Sequence, residues 1–271
     1  IMAWPRPQLP YIQRRHRASL LSGRLWLRRL LFWGGAVGVG LAATAFALAS
    51  DYAHVLFSRV LAMSPWLPLL ITPLTLAGVA ALTQRYFKGA EGSGIPHTIA
   101  AIRMPNGPGR DRVLSLRLAA AKMLLTCVGL AGGASVGREG STVQVGAALL
   151  YNLRWLIRFP RHLMERGLIV AGGGAGVAAA FNTPLAGIVF AIEEMARSFE
   201  ERSSGTLLPA VIIAGLAAIY VQGDYAYFGS TRDTLSGASS WLGVLLCGLA
   251  GGMLGGGFSR LLLAFSAHGM P

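Results

Sequence analysis

Apolar and polar positions along this chain fall into long blocks. Neither the period-two alternation of a half-buried strand nor the narrow stripe of a soluble amphipathic helix dominates. Leu30 to Ser50 is an apolar stretch of about the ~20 residues that a bilayer requires, and Asp51 to Met63 extends or caps it. Trp66 to Leu82 is a second block, closed by the polar run Gln84-Arg85-Tyr86-Phe87-Lys88. Leu114 to Gly133, Leu207 to Val221 and Trp241 to Phe265 complete the predicted spans, and the last carries a small-residue stripe at Gly248, Gly252 and Gly256. Between them lie apolar segments too short to cross: His97 to Arg103, Gly167 to Phe181 and Pro184 to Met195. The last two part at Asn182-Thr183-Pro184, where proline removes a backbone donor and turns the preceding residue away from helix. A loop rich in Pro, Gly and Arg covers Met104 to Arg112. Irregular backbone at membrane depth survives only where protein buries it or where it lines a water-filled cavity. Broken half-helices near the midplane are how secondary transporters build ion sites. The pattern predicts an all-α polytopic membrane protein that moves a solute.

Composition agrees. The chain is 54% hydrophobic and 13% charged, against about 25% charged in soluble domains. A net charge of +13 raises the question of nucleic acid, but the cations gather at the ends of apolar blocks and do not interleave with aromatics on one face. No nucleic-acid partner is expected. Arg6, Arg14, Arg15, Arg17, Arg24, Arg28 and Arg29 stand in a stretch without acids, which is expected to keep the N-terminus cytoplasmic. Arg154 to Arg166 reads as a second basic surface stretch, and Gln222 to Ser240 as a polar loop. Cys127 and Cys247 lie inside apolar stretches and read as small core packers. No metal-ligand spacing of His and Cys occurs, and no cofactor is expected.

Against that background, Ala131 to Gly146 is exceptional because it sets Arg138 and Glu139 among glycines at membrane depth. Ser141 to Tyr151 reads as a helix, so Gly137-Arg138-Glu139-Gly140 falls at a helix N-terminus, with unpaired N–H groups and a partial positive charge. Such an end is an anion site. A carboxylate there can occupy the anion's place when charged and leave it when protonated, which makes Glu139 a candidate proton-linked gate; an ion pair with Arg138 is the structural alternative. Arg138 itself reads as a packing and field-setting residue. Gly92-Ser93-Gly94-Ile95-Pro96 likewise places backbone donors and a hydroxyl at a helix start, or is a plain capped turn. Glu193-Glu194 is either a solvated helix end or part of a proton path, the latter requiring a connection to Glu139.

Together these runs resemble the CLC family of chloride channels and proton-coupled chloride antiporters. Gly92 to Pro96 resembles its first filter motif, Gly137-Arg138-Glu139-Gly140-Ser141 its second, and Ala178 to Gly187 running on to Ile192-Glu193-Glu194-Met195 its next helix pair. The resemblance implies an inverted-repeat fold with broken half-helices, usually a homodimer in a lipid bilayer, with chloride and protons as the transported species. It implies that Ser93, Gly94 and Ile95 bind chloride and that Gly92, Pro96, Gly137, Arg138, Gly140 and Ser141 shape the filter. Glu139 becomes the external gating and proton-transfer glutamate and Glu194 the inner one, which favours chloride/proton antiport over passive conduction. Ser93, where nitrate-preferring relatives tend to carry proline, favours chloride. Ser141 departs from the family's usual proline.

The family's second half supplies a Gly-x-Phe-x-Pro motif and a tyrosine hydroxyl that complete the filter, and neither is found here. The expected division is therefore a basic segment (1–29), a first membrane repeat (30–240) and the start of a second repeat (241–271). The chain is expected to be a fragment, or to need a partner chain; a half-protein that assembles without transporting is a further reading. Without a regulatory domain of the eukaryotic kind, a bacterial inner membrane is expected. A rival of another class is an intramembrane serine hydrolase, because Gly133-Ala134-Ser135-Val136-Gly137 fits Gly-x-Ser-x-Gly with His97 as base. The chain is otherwise not expected to be an enzyme.

Overall fold

The computed structural model describes residues 23–156, 164–196, 201–224, 227, 229 and 237–268. The tail up to residue 22, residues 157–163 of the expected basic stretch, Arg197 and Glu200, and most of the loop after Asp224 lie outside the described residues. Among the described residues every regular element is helical, with no strand.

The first apolar block forms α1, Gly23–Met63, a helix of 41 residues and so about 60 Å long. Asp51 to Met63 thus extends the first span. Next come α2 (Leu67–Tyr86), α3 (Ile95–Arg103) and the short α4 (Pro108–Val113), which occupies part of the expected loop. Then follow α5 (Leu116–Ala131) and α6 (Glu139–Asn152), continued by a 3-10 turn at Leu153–Trp155. Proline sits in the first turn of α2, α3, α4 and α8, where its missing N–H is no loss. Helix α7 (Met164–Phe181) and helix α8 (Pro184–Phe190) part at Asn182, the only described residue other than glycine with positive φ, at 57°. A π-helical stretch, Ala191–Ala196, continues α8, and α9 spans Glu201–Gln222. Five helical stretches are long and apolar enough to cross a membrane: 26–63, 67–86, 108–131, 205–222 and 240–265. They coincide with the predicted spans; of the segments expected to be short, α3 and α8 stay short, whereas α7 reaches 18 residues.

The chain divides into two compact units, the first ending at Tyr227. The second contains α10 (Ala238–His268), a helix whose apolar side chains are exposed along its length. Cys247, expected as a core packer, is exposed on it, since a helix apolar all round need not bury any one side among its own chain's residues. Cys127 is half-buried, its Sγ 4.0 Å from Ser50 Oγ.

In the first unit α1, α6, α7 and α9 surround a core of small and branched residues: Val143, Ala147, Ile169, Ala178 and Val211 in one cluster and Ala36, Val39, Ala171 and Ala214 in another. Backbones touch. A methyl group added to Gly172 would lie 2.3 Å from the carbonyl oxygen of Gly146, and one on Gly40 would lie 2.4 Å from that of Ala214. Such close approach is how membrane helices gain contact without a hydrophobic drive between them. The ends of the bundle are distinct. Glu165 at the start of α7 meets Arg154 just past the end of α6, whereas Phe181 at the end of α7 stacks on Tyr227, which reaches Glu139 at the start of α6. Helices α6 and α7 therefore run antiparallel.

Replacing Gly172 with Val should lower stability by about 1–3 kcal/mol or more, because the backbones must separate. Gly34→Ala, on the open face of α1, should change it by less than about 1 kcal/mol, with a gain expected. Thermal unfolding in detergent compares the two, and equal midpoints would refute the packing described.

Candidate functional site

Two short helices start at one place. Helix α3 is capped by Gly94 at φ 96°, a left-handed conformation that glycine adopts without strain. Helix α6 is capped by Arg138. The cap carbonyls are used alike: Gly94 O accepts from Thr98 N at 3.0 Å and Thr98 Oγ1 at 2.9 Å, and Arg138 O accepts from Thr142 N at 3.0 Å and Thr142 Oγ1 at 2.9 Å. Both threonines are buried. The cap oxygens are thus turned down their helices, and the first-turn N–H groups, which lack intrahelical partners, are left facing outward.

The two starts touch through glycines. A methyl on Gly140 would stand 2.6 Å from Ser93 O and 3.0 Å from Ser93 Cβ, and one on Gly94 would stand 2.8 Å from Gly140 O. Ser93, Glu139, Gly140 and Ser141 line one cavity of about 670 Å³, together with Glu91 and Lys122. The expected filter residues Gly92, Ile95 and Gly137 line it as well, and Pro96 occupies the first turn of α3. Ser141 is buried in the first turn of α6, where its N–H stays available, as a proline's would not.

Glu139 and Arg138 do not pair with each other. Arg138 Nη1 donates to Ala47 O and to Asp51 Oδ1, both at 2.9 Å, and so fastens the start of α6 to α1. The Glu139 carboxylate accepts a hydrogen bond from the Tyr227 hydroxyl, and its Oε2 lies so close over Gly137 that a methyl there would be 2.6 Å away. The Tyr227 ring meets Phe181 edge-on at 5.0 Å and lies 5.8 Å from the Arg138 guanidinium. Burial, and then the carboxylate beside it, push the Tyr227 hydroxyl above its usual pKa, so it remains a donor.

Several residues that position this site escaped sequence reasoning. Lys122 is buried on α5, and its Nζ donates to Ala90 O at 3.1 Å and Glu91 O at 3.2 Å, holding the strand of chain that leads into Ser93. A lone lysine inside an apolar span is itself a signal of a site. Gln144, buried on α6, donates from Nε2 to Val113 O at 3.0 Å, while its Oε1 abuts Gly94. Arg110 is 1% exposed although it falls in the expected Pro/Gly/Arg loop. Its guanidinium donates to the carbonyls of Ala101 (2.8 Å), Ile102 (3.4 Å) and Met104, to Asn106 and to Glu165 (3.4 Å). It thereby caps the C-terminus of α3, whose other end faces the cavity, and neutralises the negative pole there. Next to it Asp111 accepts from Tyr151 at 2.7 Å and from Arg154, so Arg154 is held inward and is not the free surface cation expected.

Glu193 and Glu194 are exposed on the π-helical stretch after α8, away from the cavity lining, and no described hydrogen bond joins them to Glu139. Ser135 lies in the turn between α5 and α6 with no strand before it, and no hydrogen bond links it to His97, whose Nε2 is 3.9 Å from Glu91 Oε1. The nucleophile elbow that Gly-x-Ser-x-Gly requires is not formed.

Arg110→Met should cost about 2–3 kcal/mol, since it strips the carbonyls at the end of α3 of their donor and leaves the half-buried Glu165 with Arg154 alone. Arg138→Gln, whose partner Asp51 is exposed, should cost less than about 1 kcal/mol. Thermal or denaturant unfolding of the full-length protein distinguishes these, and a harmless Arg110→Met would remove its assigned role.

Known proteins resemble this chain. The family model described as voltage gated chloride channel matches residues 74–268. A putative ClcB-like chloride channel protein of Ralstonia nicotianae is 31% identical over 264 residues, covering 93% of this chain and 56% of that protein. The H(+)/Cl(-) exchange transporter ClcA of Vibrio cholerae is 36% identical over 154 residues, covering 56% of this chain and 31% of that one. The crystal structure of a slow cyanobacterial Cl-/H+ antiporter has the same fold, with a TM-score of 0.70 at 24% identity over 87% of this chain and 56% of that chain. The chain thus spans about half the length of its relatives or less. Its all-α fold and the matched region, which includes both glycine-rich helix starts, make it a member of the voltage gated chloride channel family.

Proposed function

We propose that this chain forms part of a chloride pathway and supplies the proton-linked gate of a chloride/proton antiporter. The observation that carries the reading is the meeting of two helix N-termini, with their cap carbonyls turned away, on one cavity that also holds a carboxylate. Neutral backbone donors at Ser93, Gly94 and Ile95, with the Ser93 hydroxyl, replace an anion's water without binding it too tightly to leave. Glu139, on the start of α6, competes for the same positive pole. Charged, it fills the anion's place; protonated, it withdraws, which links the two flows. Tyr227 holds the carboxylate in the position seen, and Arg138 fixes the helix start from which it swings.

Glu194 is the candidate for the second proton-transfer acid, on a helix pair that packs against α6 through α7. Antiport by two relatives, one named for H(+)/Cl(-) exchange and one for Cl-/H+ antiport, favours exchange over passive conduction. A second half of the fold is needed to close the cavity into a filter. The working unit is a multi-pass protein, expected as a homodimer in a bacterial inner membrane with its N-terminus cytoplasmic.

In liposomes containing the full-length protein, Glu139→Ala should abolish proton movement driven by a chloride gradient while chloride flux continues. Glu194→Ala should also uncouple protons. Intact coupling in both variants would rule out this mechanism, and proton-free chloride flux in the unaltered protein would make it a passive channel.

A further inference from the structure

A second concavity, of about 350 Å³, lies where the C-terminal end of α2 meets the start of α5. Arg85 and Lys88 enter it from one side and Arg112 and Arg117 from the other, and Ser115 completes its polar lining. We propose that this concavity binds a phosphate group, presented by an anionic lipid of the adjoining leaflet.

Three observations carry the assignment. The four cations form no ion pair with any described acid, whereas Arg110, Arg138 and Arg154 in the same unit each have one. The acids nearest in sequence are turned elsewhere: Asp111 to Tyr151 and Arg154, and Glu91 to the Gly89 N–H at 2.6 Å. Cations from two separate stretches thus converge on one hollow with only their mutual repulsion, a disposition that an anion relieves.

Two of the guanidiniums also have aromatic neighbours: Arg85 lies 5.5 Å from the Tyr86 ring and Arg117 5.7 Å from the Phe87 ring, and guanidinium forks suit bidentate contact with phosphate oxygens. The first N–H groups of α5 add a positive helix pole at the same hollow, with Ser115 accepting from Leu118 N at 3.2 Å as the cap.

Location selects the lipid. Helix α2 and the stretch 108–131 that contains α5 are both long and apolar enough to span, so their ends lie at headgroup level, where basic pockets between spanning helices meet lipid phosphates. Along the chain, Lys88 of the hollow and Ser93 are joined by residues 89–92, of which Lys122 holds the carbonyls of Ala90 and Glu91.

The test uses the full-length protein in phosphatidylcholine nanodiscs with phosphatidylglycerol titrated in, retained lipid being counted by native mass spectrometry. Arg112→Gln/Arg117→Gln should bind phosphatidylglycerol at least about tenfold more weakly than the unaltered protein. Arg112→Lys/Arg117→Lys should bind it more weakly than the unaltered protein but more tightly than the Gln pair, because the charge is kept while the bidentate contact is lost. The opposite wall, Arg85→Gln/Lys88→Gln, should reproduce the loss; all four positions are exposed, and circular dichroism checks that each variant stays folded. A parallel calorimetric titration with inorganic phosphate in pure phosphatidylcholine identifies the source. Saturable phosphate binding that the Gln pairs abolish, without a preference for phosphatidylglycerol, would keep the phosphate site but overturn the lipid as its donor. Equal retention of phosphatidylglycerol by all proteins, with no phosphate binding, would overturn the proposal.

Discussion

Backbone N–H groups cannot be left unpaired in hydrocarbon, and this fold concentrates such groups at one point. Helices α3 and α6 begin there, held together by the contact of Ser93 and Gly94 with Gly140. Glycine at positions 94 and 140 is what lets the two chains approach, since a Cβ at either would meet backbone within 3 Å. The exposed donors then need either water or an anion, and the cavity supplies room for both. The length of α3, the breaks around it and the burial of Lys122 are all consequences of serving that point.

Ionic side chains are kept off the donors. Arg138 is spent on Ala47 and Asp51, Lys122 on two carbonyls of the preceding turn, and Arg110 on the far end of α3. The strongest electrostatic fastenings sit at the opposite end of the bundle, where Arg110, Asp111, Arg154 and Glu165 join the ends of α3 and α6 to the start of α7. The site is therefore neutral in its immediate ligands and ionic in its foundations.

Much of this was legible in the sequence because hydropathy and glycine spacing report on local physics. Apolar blocks of membrane length gave the spans, and Pro184 after Asn182 marked a break that the backbone confirms. Glycines flanking Ser93 and Glu139 marked helix starts. What was hidden depended on contacts distant along the chain. Nothing near Tyr227 in sequence announces Glu139, 88 residues away, and nothing in the arginine-rich run 103–112 tells Arg110, wholly buried, from Arg112, exposed. Of the two readings offered for Glu139, the ion pair with Arg138 is not formed, for a geometric reason: neighbours on a helix start diverge, and Asp51 on α1 lies in the better direction for Arg138. The first helix is settled likewise: of the two readings of Asp51 to Met63, extension holds, and the helix continues for about three turns past Asp51.

The backbone contact between α6 and α7 bears on tempo. With Gly146 against Gly172 and Gly176 against Thr142, neither helix can slide or rotate past the other without a collision of main chains. A movement of Glu139 at the head of α6 is consequently confined to side-chain torsions. Rotamer changes of exposed side chains run on picosecond to nanosecond scales, whereas helix displacements take microseconds or longer. A change at that position would then carry the temperature dependence of a side-chain rotation instead of that of a moving helix.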